Sequence, residues 1–159
     1  MKVIRIAGVE PNDVINGEGV CVSVWMQGCP HRCPGCHNPE SWDFEGGTLY
    51  NQDMLSFEIL KLIEANNIQR NLSILGGEPL CPENAEFVKL LTKIVKNVYP
   101  NIKVFCWTGY NIEEIDKEYL KNIDVLIDGK FELDKRDITL KLRGSTNQRI
   151  IDVKEYLNS

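Results

Sequence analysis

Apolar and polar positions change their period several times along the chain, and each change marks an element. The opening Met1-Lys2-Val3-Ile4-Arg5-Ile6-Ala7-Gly8 alternates, which predicts a short strand. Residues 8–19, rich in Pro, Asn, Asp and Gly, predict a loop. Val20-Cys21-Val22-Ser23-Val24-Trp25-Met26 alternates again and is β-branched, predicting a strand. After an irregular stretch to Gly47, Leu55, Ile59, Leu60, Leu62 and Ile63 recur at helical spacing between Asp53 and Asn66. Asn71-Leu72-Ser73-Ile74-Leu75 predicts a strand that stops at Gly76-Gly77. A second helix is predicted from Glu83 to Val98, with Phe87, Leu90, Leu91, Ile94 and Val95 on its apolar face and Pro100 beyond its end. Lys103 to Trp107 predicts a strand stopped by Thr108-Gly109, Ile112 to Leu120 a short helix, and Asp124 to Asp128 a strand stopped by Gly129. Residues 130–144 are charged and irregular, Gln148 to Val153 predict a last strand, and a short helical tail follows.

Short apolar strands alternating with helices, each strand followed by a glycine-bearing turn, predict an α/β chain with a parallel sheet. Five or six strands are too few for a closed eight-stranded barrel. The expected architecture is a partial, open parallel β/α barrel, its helices on one outer face. Functional loops in such sheets lie at the carboxyl ends of the strands. The turns at residues 27–39, 76–79, 108–109 and 128–130 are expected there, converging on one edge.

Composition narrows the function without changing the fold. The 159 residues suit a single domain, 1–159, with no internal repeat. Lys and Arg total 18 against 23 Asp and Glu, a net charge of −5. That balance argues against nucleic acid as a partner, which needs a basic face. No apolar run reaches the roughly 18 residues of a membrane span, and the first residues lack the apolar core of a signal peptide. A cytoplasmic protein is expected.

The six cysteines are unevenly placed. Cys21, Cys81 and Cys106 are scattered, and Cys21 and Cys106 fall inside strand patterns as small core residues. Cys29, Cys33 and Cys36 are spaced C-x3-C-x2-C within Gly28-Cys29-Pro30-His31-Arg32-Cys33-Pro34-Gly35-Cys36-His37-Asn38-Pro39. Clustered cysteines in such a chain read as metal or redox chemistry before disulfides. Structural zinc is one reading, with His31 or His37 as a fourth ligand. It sits poorly with all candidates on one loop and no second ligand pair downstream. Three thiolates on a four-iron cluster, with one iron open to an outside ligand, is the other.

The C-x3-C-x2-C spacing resembles the cluster motif of the radical S-adenosylmethionine superfamily. Gly76-Gly77-Glu78-Pro79 is similar to that superfamily's GGE turn. Asn16-Gly17-Glu18-Gly19 and Met26-Gln27-Gly28-Cys29 resemble the approach to the cluster in glycyl-radical activating enzymes. Cys29 to Trp42 and Arg143-Gly144-Ser145-Thr146-Asn147-Gln148-Arg149 resemble the branch that serves anaerobic ribonucleoside-triphosphate reductase. The likeness covers nearly the whole chain.

This resemblance implies a [4Fe-4S] cluster on Cys29, Cys33 and Cys36, and S-adenosylmethionine chelating the open iron. Reductive cleavage then gives methionine and a 5′-deoxyadenosyl radical, which takes hydrogen from a glycine of the reductase. The electron donor it implies is a flavodoxin- or ferredoxin-like protein. Gly35, Cys36, His37, Gly76, Gly77, Glu78 and Thr108 are the implied contacts of S-adenosylmethionine. Many superfamily members carry an aromatic residue immediately before the third cysteine, near the adenine. Gly35 stands there in this chain, leaving its backbone and the His37 ring as the adenine contacts. Glu78 and the turn carbonyls are acceptors for the methionyl ammonium. Thr108 either bonds the ligand or caps its own turn. Asp128 and Lys130 face the same edge and either meet ligand or pair with each other. Arg143, Asn147, Gln148 and Arg149 either line the entrance for the glycine loop or form a solvated segment. Trp42 and Phe44 shield the cluster, meet the partner, or pack as core. The alternatives are an activase of another glycyl-radical enzyme, another small radical S-adenosylmethionine enzyme, and a non-catalytic zinc-binding module.

Overall fold

A computed structural model describes residues 2–36 and 39–159. The strands are β1 (Val3–Asp13), β2 (Cys21–Met26), β3 (Thr48–Asn51), β4 (Asn71–Gly76), β5 (Val104–Trp107), β6 (Val125–Asp128) and β7 (Arg149–Asp152). The helices are α1 (Gln52–Ile63), α2 (Pro82–Val98) and α3 (Val153–Leu157). All seven strands form one sheet in the order β3-β1-β2-β4-β5-β6-β7.

The sheet is mixed, with seven strands where five or six parallel ones were expected. β2, β4, β5 and β6 are mutually parallel. β1 runs antiparallel to both β2 and β3, and β7 antiparallel to β6. β1 also runs to Asp13, through residues whose Pro and Gly content suggested a loop. Register shifts near Gly8 and before Asp13 let Pro11 and Gly8 sit in an edge-ward strand without breaking it. β3 went unpredicted because four residues carry too little alternation to read. The helix expected over 112–120 is two 3-10 turns, Ile112–Glu114 and Lys117–Tyr119. Asn111 and Asp116 cap them one after the other, so the backbone restarts instead of propagating.

Alternation along the parallel strands sorts side chains onto two faces. Ile4 and Ile6 of β1, Val22, Val24 and Met26 of β2, Leu72 and Ile74 of β4, Val104 and Cys106 of β5 and Leu126 of β6 form the core with α1 and α2. α1 contributes Leu55, Ile59 and Ile63; α2 contributes Phe87, Val88, Leu91 and Val95. Leu90 and Ile94, expected on that face, are only half-buried. Asn51 caps α1 by accepting from the Met54 amide at 3.0 Å. Pro82 starts α2, where its missing N–H is harmless.

The opposite face carries Cys21, Ser23, Trp25, Ser73, Leu75, Phe105 and Trp107, the residues that alternate with the core set. Its far end is tied down by polar contacts. Asp13 accepts from Ser23 Oγ at 2.6 Å, and Ser73 Oγ donates to the Asn16 carbonyl. Its near end, at the carboxyl ends of β2, β4 and β5, presents Trp25, Leu75 and Trp107 to a groove.

Candidate functional site

The loops after β2, β4, β5 and β6 meet at the carboxyl edge, as the parallel pairing requires. They are stitched through backbone. Gly77 N–H donates to the Met26 carbonyl at 2.9 Å and Glu78 N–H to the Gly28 carbonyl at 2.7 Å. Gly28 N–H donates to Ser41 and Cys29 N–H to Trp42, at 2.6 and 3.2 Å. Asn84 of α2 donates through Nδ2 to the carbonyls of both Gln27 and Glu78. The approach is so close that a Cβ on Gly77 would run into the Gly28 carbonyl and lie 2.9 Å from the Ser41 oxygen.

Cys29, Cys33 and Cys36 line one cavity of about 130 Å³ together with Trp42, Gly76, Gly77, Glu78, Thr108, Gly129, Phe131 and Gln148. Burial raises the pKa of the Cys29 and Cys33 thiols. Three thiolates on one cavity are the donor set that iron–sulfur clusters take. His31, one of the two candidate fourth zinc ligands, has its Nε2 on Glu78 at 2.6 Å. His37, the other candidate, an expected adenine contact, lies outside the described residues. One buried donor belongs to a residue that lines this cavity: the Trp42 indole Nε1 has no hydrogen-bond partner among the described residues. An acceptor-rich, anionic group bounded by sulfur fits that donor and those thiols.

Glu78 is fully buried and its carboxylate is saturated. Oε1 accepts from His31 Nε2 and from Gly109 N–H at 2.7 Å; Oε2 accepts from Thr108 Oγ1 at 2.7 Å and Leu80 N–H at 2.9 Å. The carboxylate clamps the cysteine loop to the turns after β4 and β5. Thr108 Oγ1 also accepts from the Tyr110 amide, so this hydroxyl caps its own turn. Burial, with the Glu78 charge adding to it, raises the pKa of Tyr110, whose ring packs edge-on against His31 at 4.6 Å.

Gly35 adopts φ +76°, and a side chain there would meet Leu133 Cδ1 at 2.7 Å and Phe131 at 3.3 Å. The position that often carries an aromatic is thus closed by ring and methyl groups from the loop after β6. Neither Phe131 nor Leu133 was foreseen, because nothing in a charged, irregular stretch signals where its apolar side chains fold back.

Of the two readings of Asp128 and Lys130, a pairing with each other is not what forms. Asp128 is fully buried and accepts from Arg149 Nε at 3.0 Å, Arg149 Nη2 at 2.6 Å and the Ile112 amide at 2.8 Å. Arg149 lies opposite it in the β6–β7 ladder and also reaches Glu113 at 2.8 Å. Lys130 offers its carbonyl to Asn147 Nδ2 at 2.8 Å and lines a separate polar cleft beside His31 and Glu132. Gln148 binds three backbone groups, the amides of Gly144 and Ser145 and the carbonyl of Gly129. Arg143 donates to the carbonyl of Gln148 at 2.8 Å. Asn147 and Arg149 thus serve the local loop, while Arg143 and Gln148 also line the larger groove.

That groove, about 530 Å³, runs from the cluster cavity along Trp25, Leu75, Gly76, Trp107, Phe131 and Leu142 to the exposed Ile15. Trp107 Nε1 donates to the Leu142 carbonyl at 2.6 Å, holding Leu142 at φ +67°. A non-glycine residue in that region is uncommon and persists where surrounding contacts impose it. Phe44, by contrast, packs against Gly28 at the base of the cysteine loop.

Comparison with known proteins agrees with this geometry. The family model described as a 4Fe-4S single cluster domain matches residues 15–151. The chain is 42% identical over 144 residues to the anaerobic ribonucleoside-triphosphate reductase-activating protein of Haemophilus influenzae, covering 88% of this chain and 92% of that one. The protein of the same name from Enterobacteria phage T4 is 40% identical over 144 residues, covering 89% and 90% of the two chains. That of Escherichia coli K12 is 33% identical over 141 residues, covering 87% and 92%. With three thiols and a GGE turn converging at the strand ends, and likeness over most of both lengths, the chain belongs to the 4Fe-4S single cluster domain family and, within it, to the anaerobic ribonucleoside-triphosphate reductase-activating proteins.

Proposed function

We propose that this chain, as one radical S-adenosylmethionine domain over residues 1–159, installs a glycyl radical on an anaerobic ribonucleoside-triphosphate reductase. The observation that carries the reading is the convergence of Cys29, Cys33 and Cys36 with the Gly76-Gly77 turn on one cavity that opens into an apolar groove. Cys29, Cys33 and Cys36 would hold a [4Fe-4S] cluster, which would supply the one-electron reduction for cleavage of S-adenosylmethionine and so the hydrogen-abstracting chemistry directed at the reductase glycine. Gly76 and Gly77 admit the methionyl end by bringing backbone close. Glu78, held by four donors, fixes that turn against the cysteine loop. Cys36, Gly35 and Phe131 border the space for the nucleoside. Trp25, Trp107, Leu142 and Arg143 form the walls that exclude water and receive an extended glycine segment.

The four parallel strands, with their functional turns at the carboxyl ends, support reading the central sheet as a partial, open β/α barrel. No helix among the described residues is long and apolar enough to cross a membrane. The proposed setting is the cytoplasm, with a flavodoxin- or ferredoxin-like protein as electron donor.

The test is anaerobic reconstitution with iron and sulfide, followed by dithionite and S-adenosylmethionine. Formation of 5′-deoxyadenosine, and a glycyl-radical doublet in electron paramagnetic resonance once the reductase is added, are the expected results. Cleavage without that doublet would point to another glycyl-radical partner. Full cleavage in Cys33→Ala would remove the cluster assignment.

A further inference from the structure

We propose that the Trp42 indole donates a hydrogen bond to the sulfur of the bound cluster and thereby raises its reduction potential. The proposal rests on the reading that Cys29, Cys33 and Cys36 carry the cluster. A buried N–H left without an acceptor is destabilising, so native structures seldom leave one. The Trp42 Nε1 is such a donor among the described residues, and its side chain borders the cavity that the three thiols line.

Its placement is built, not incidental. The Trp42 carbonyl accepts from the Cys29 amide at 3.2 Å, and the neighbouring Ser41 carbonyl accepts from Gly28 at 2.6 Å. A 3-10 turn over Pro39–Ser41 precedes it, closed by Trp42 N–H donating to Pro39. The Trp42 backbone is therefore fixed to that of the first cluster cysteine. The other tryptophan facing this cavity, Trp107, already donates its Nε1 to the Leu142 carbonyl. Hydrogen bonds to cluster sulfur stabilise the more negative, reduced form and so raise the potential. A donor here eases delivery of the electron without touching S-adenosylmethionine.

The experiment uses reconstituted full-length protein grown with [15N-indole]tryptophan, and Trp42→Phe beside it. Iron and sulfide analysis reads the cluster itself; a colourless wild type would defeat the cluster reading and this proposal together. In brown, reduced wild type, pulsed electron paramagnetic resonance should show a 15N coupling to the cluster. The coupling should vanish in Trp42→Phe. Redox titration should show the variant's reduction equilibrium weakened about tenfold, or about 59 mV lower for one electron. A brown wild type with no 15N coupling, or a brown Trp42→Phe with unchanged potential, overturns the role of Trp42 and leaves the cluster reading standing. If Trp42→Phe loads no cluster, the coupling in wild type decides alone.

Discussion

His31 Nε2 and Glu78 Oε1 lie 2.6 Å apart, with side chains 6% and 1% exposed, so the cysteine loop and the GGE turn share one buried contact. Glu78 accepts three further hydrogen bonds, from Leu80, Thr108 and Gly109. Removing the hub should therefore hurt more than removing a spoke. Glu78→Ala strands every donor and is expected to lose about 3–5 kcal/mol, the range for breaking a buried charged network from one side. His31→Ala leaves the carboxylate three donors and should lose about 1.5–3 kcal/mol. Urea denaturation of the two variants checks this; equal losses would mean that the other three bonds hold little.

Gly77 makes a second, sharper demand on the same edge. Its Cβ position is occupied by the Gly28 and Ser41 carbonyls, both of them backbone and unable to swing aside. Gly8, in the middle of β1, has nothing within 4 Å of its Cβ position. Gly77→Ala is expected to cost about 1–3 kcal/mol through overpacking and to weaken S-adenosylmethionine binding by moving the turn. Gly8→Ala should stay within about 0.5 kcal/mol of wild type, as an uncrowded substitution does. Thermal melts and equilibrium binding of S-adenosylmethionine distinguish the two.

These two contacts show what could be read from the chain and what could not. Cysteine spacing and the glycine stops after Leu75, Trp107 and Asp128 were enough to place four turns on one edge. Local signals carry that much, because strands and stops are short-range features. Partner choice is long-range. Asp128 meets Arg149 and not Lys130 because β7 runs antiparallel beside β6, a pairing that no local pattern encodes. Glu78 turned inward for a related reason: His31 and the Thr108-Gly109 turn come from two distant segments that only the fold assembles. Phe131 and Leu133 went unseen because an irregular, charged stretch has no period to show which side chains fold back toward Gly35.

The Asp128–Arg149 pair yields a prediction that separates structure from docking. Asp128 is fully buried while Arg149 is 48% exposed, so water reaches one partner only. Arg149→Ala leaves the carboxylate with the Ile112 amide and entering water, for a loss of about 1–3 kcal/mol from an unsatisfied buried charge partly rehydrated. Arg149→Lys restores charge without the two-pronged geometry and should recover only part of it. At temperatures where the variants stay folded, apparent affinity for the reductase should match wild type. A large affinity loss at unchanged stability would instead place Arg149 in the interface.

Asp13 gives the pH dependence. Burial disfavours its charge, but donors on Ser23 Oγ, Asn16 Nδ2 and the amides of Ile15 and Asn16 outweigh that and hold its pKa below the ordinary value. A folded-state pKa below the unfolded one adds stability that is fully present above the unfolded value, about 3.9. It is lost as pH falls through the folded value. Asp13→Asn should therefore be less stable than wild type at pH 7, and the gap should narrow below about pH 4 as the wild-type carboxyl protonates. Urea denaturation of cluster-free protein at both pH values measures it; a gap that widens in acid would reverse the sign.

Ile15 is the residue to change when docking itself is the question. It is 80% exposed, yet it lines the outer end of the groove that begins at Cys36 and Gly76. Neighbouring Val14 is 70% exposed, so two large apolar side chains stand in water beside the opening. The Ile15 amide is fixed by Asp13 Oδ1 at 2.8 Å, which holds the backbone and leaves the side chain outward. Replacing it should thus leave fold, cluster loading and S-adenosylmethionine binding intact. Ile15→Asp places a charge where an apolar partner surface would have to lose water, and about tenfold weaker apparent affinity for the reductase is expected, a loss of about 1.4 kcal/mol. Titrating the reductase against a fixed amount of reduced activase, and reading glycyl radical at each point, gives that affinity. Cleavage of S-adenosylmethionine without reductase should be unchanged in the same samples. An unaltered titration curve would place the docking contact elsewhere on the groove wall, at Leu142 or Arg143.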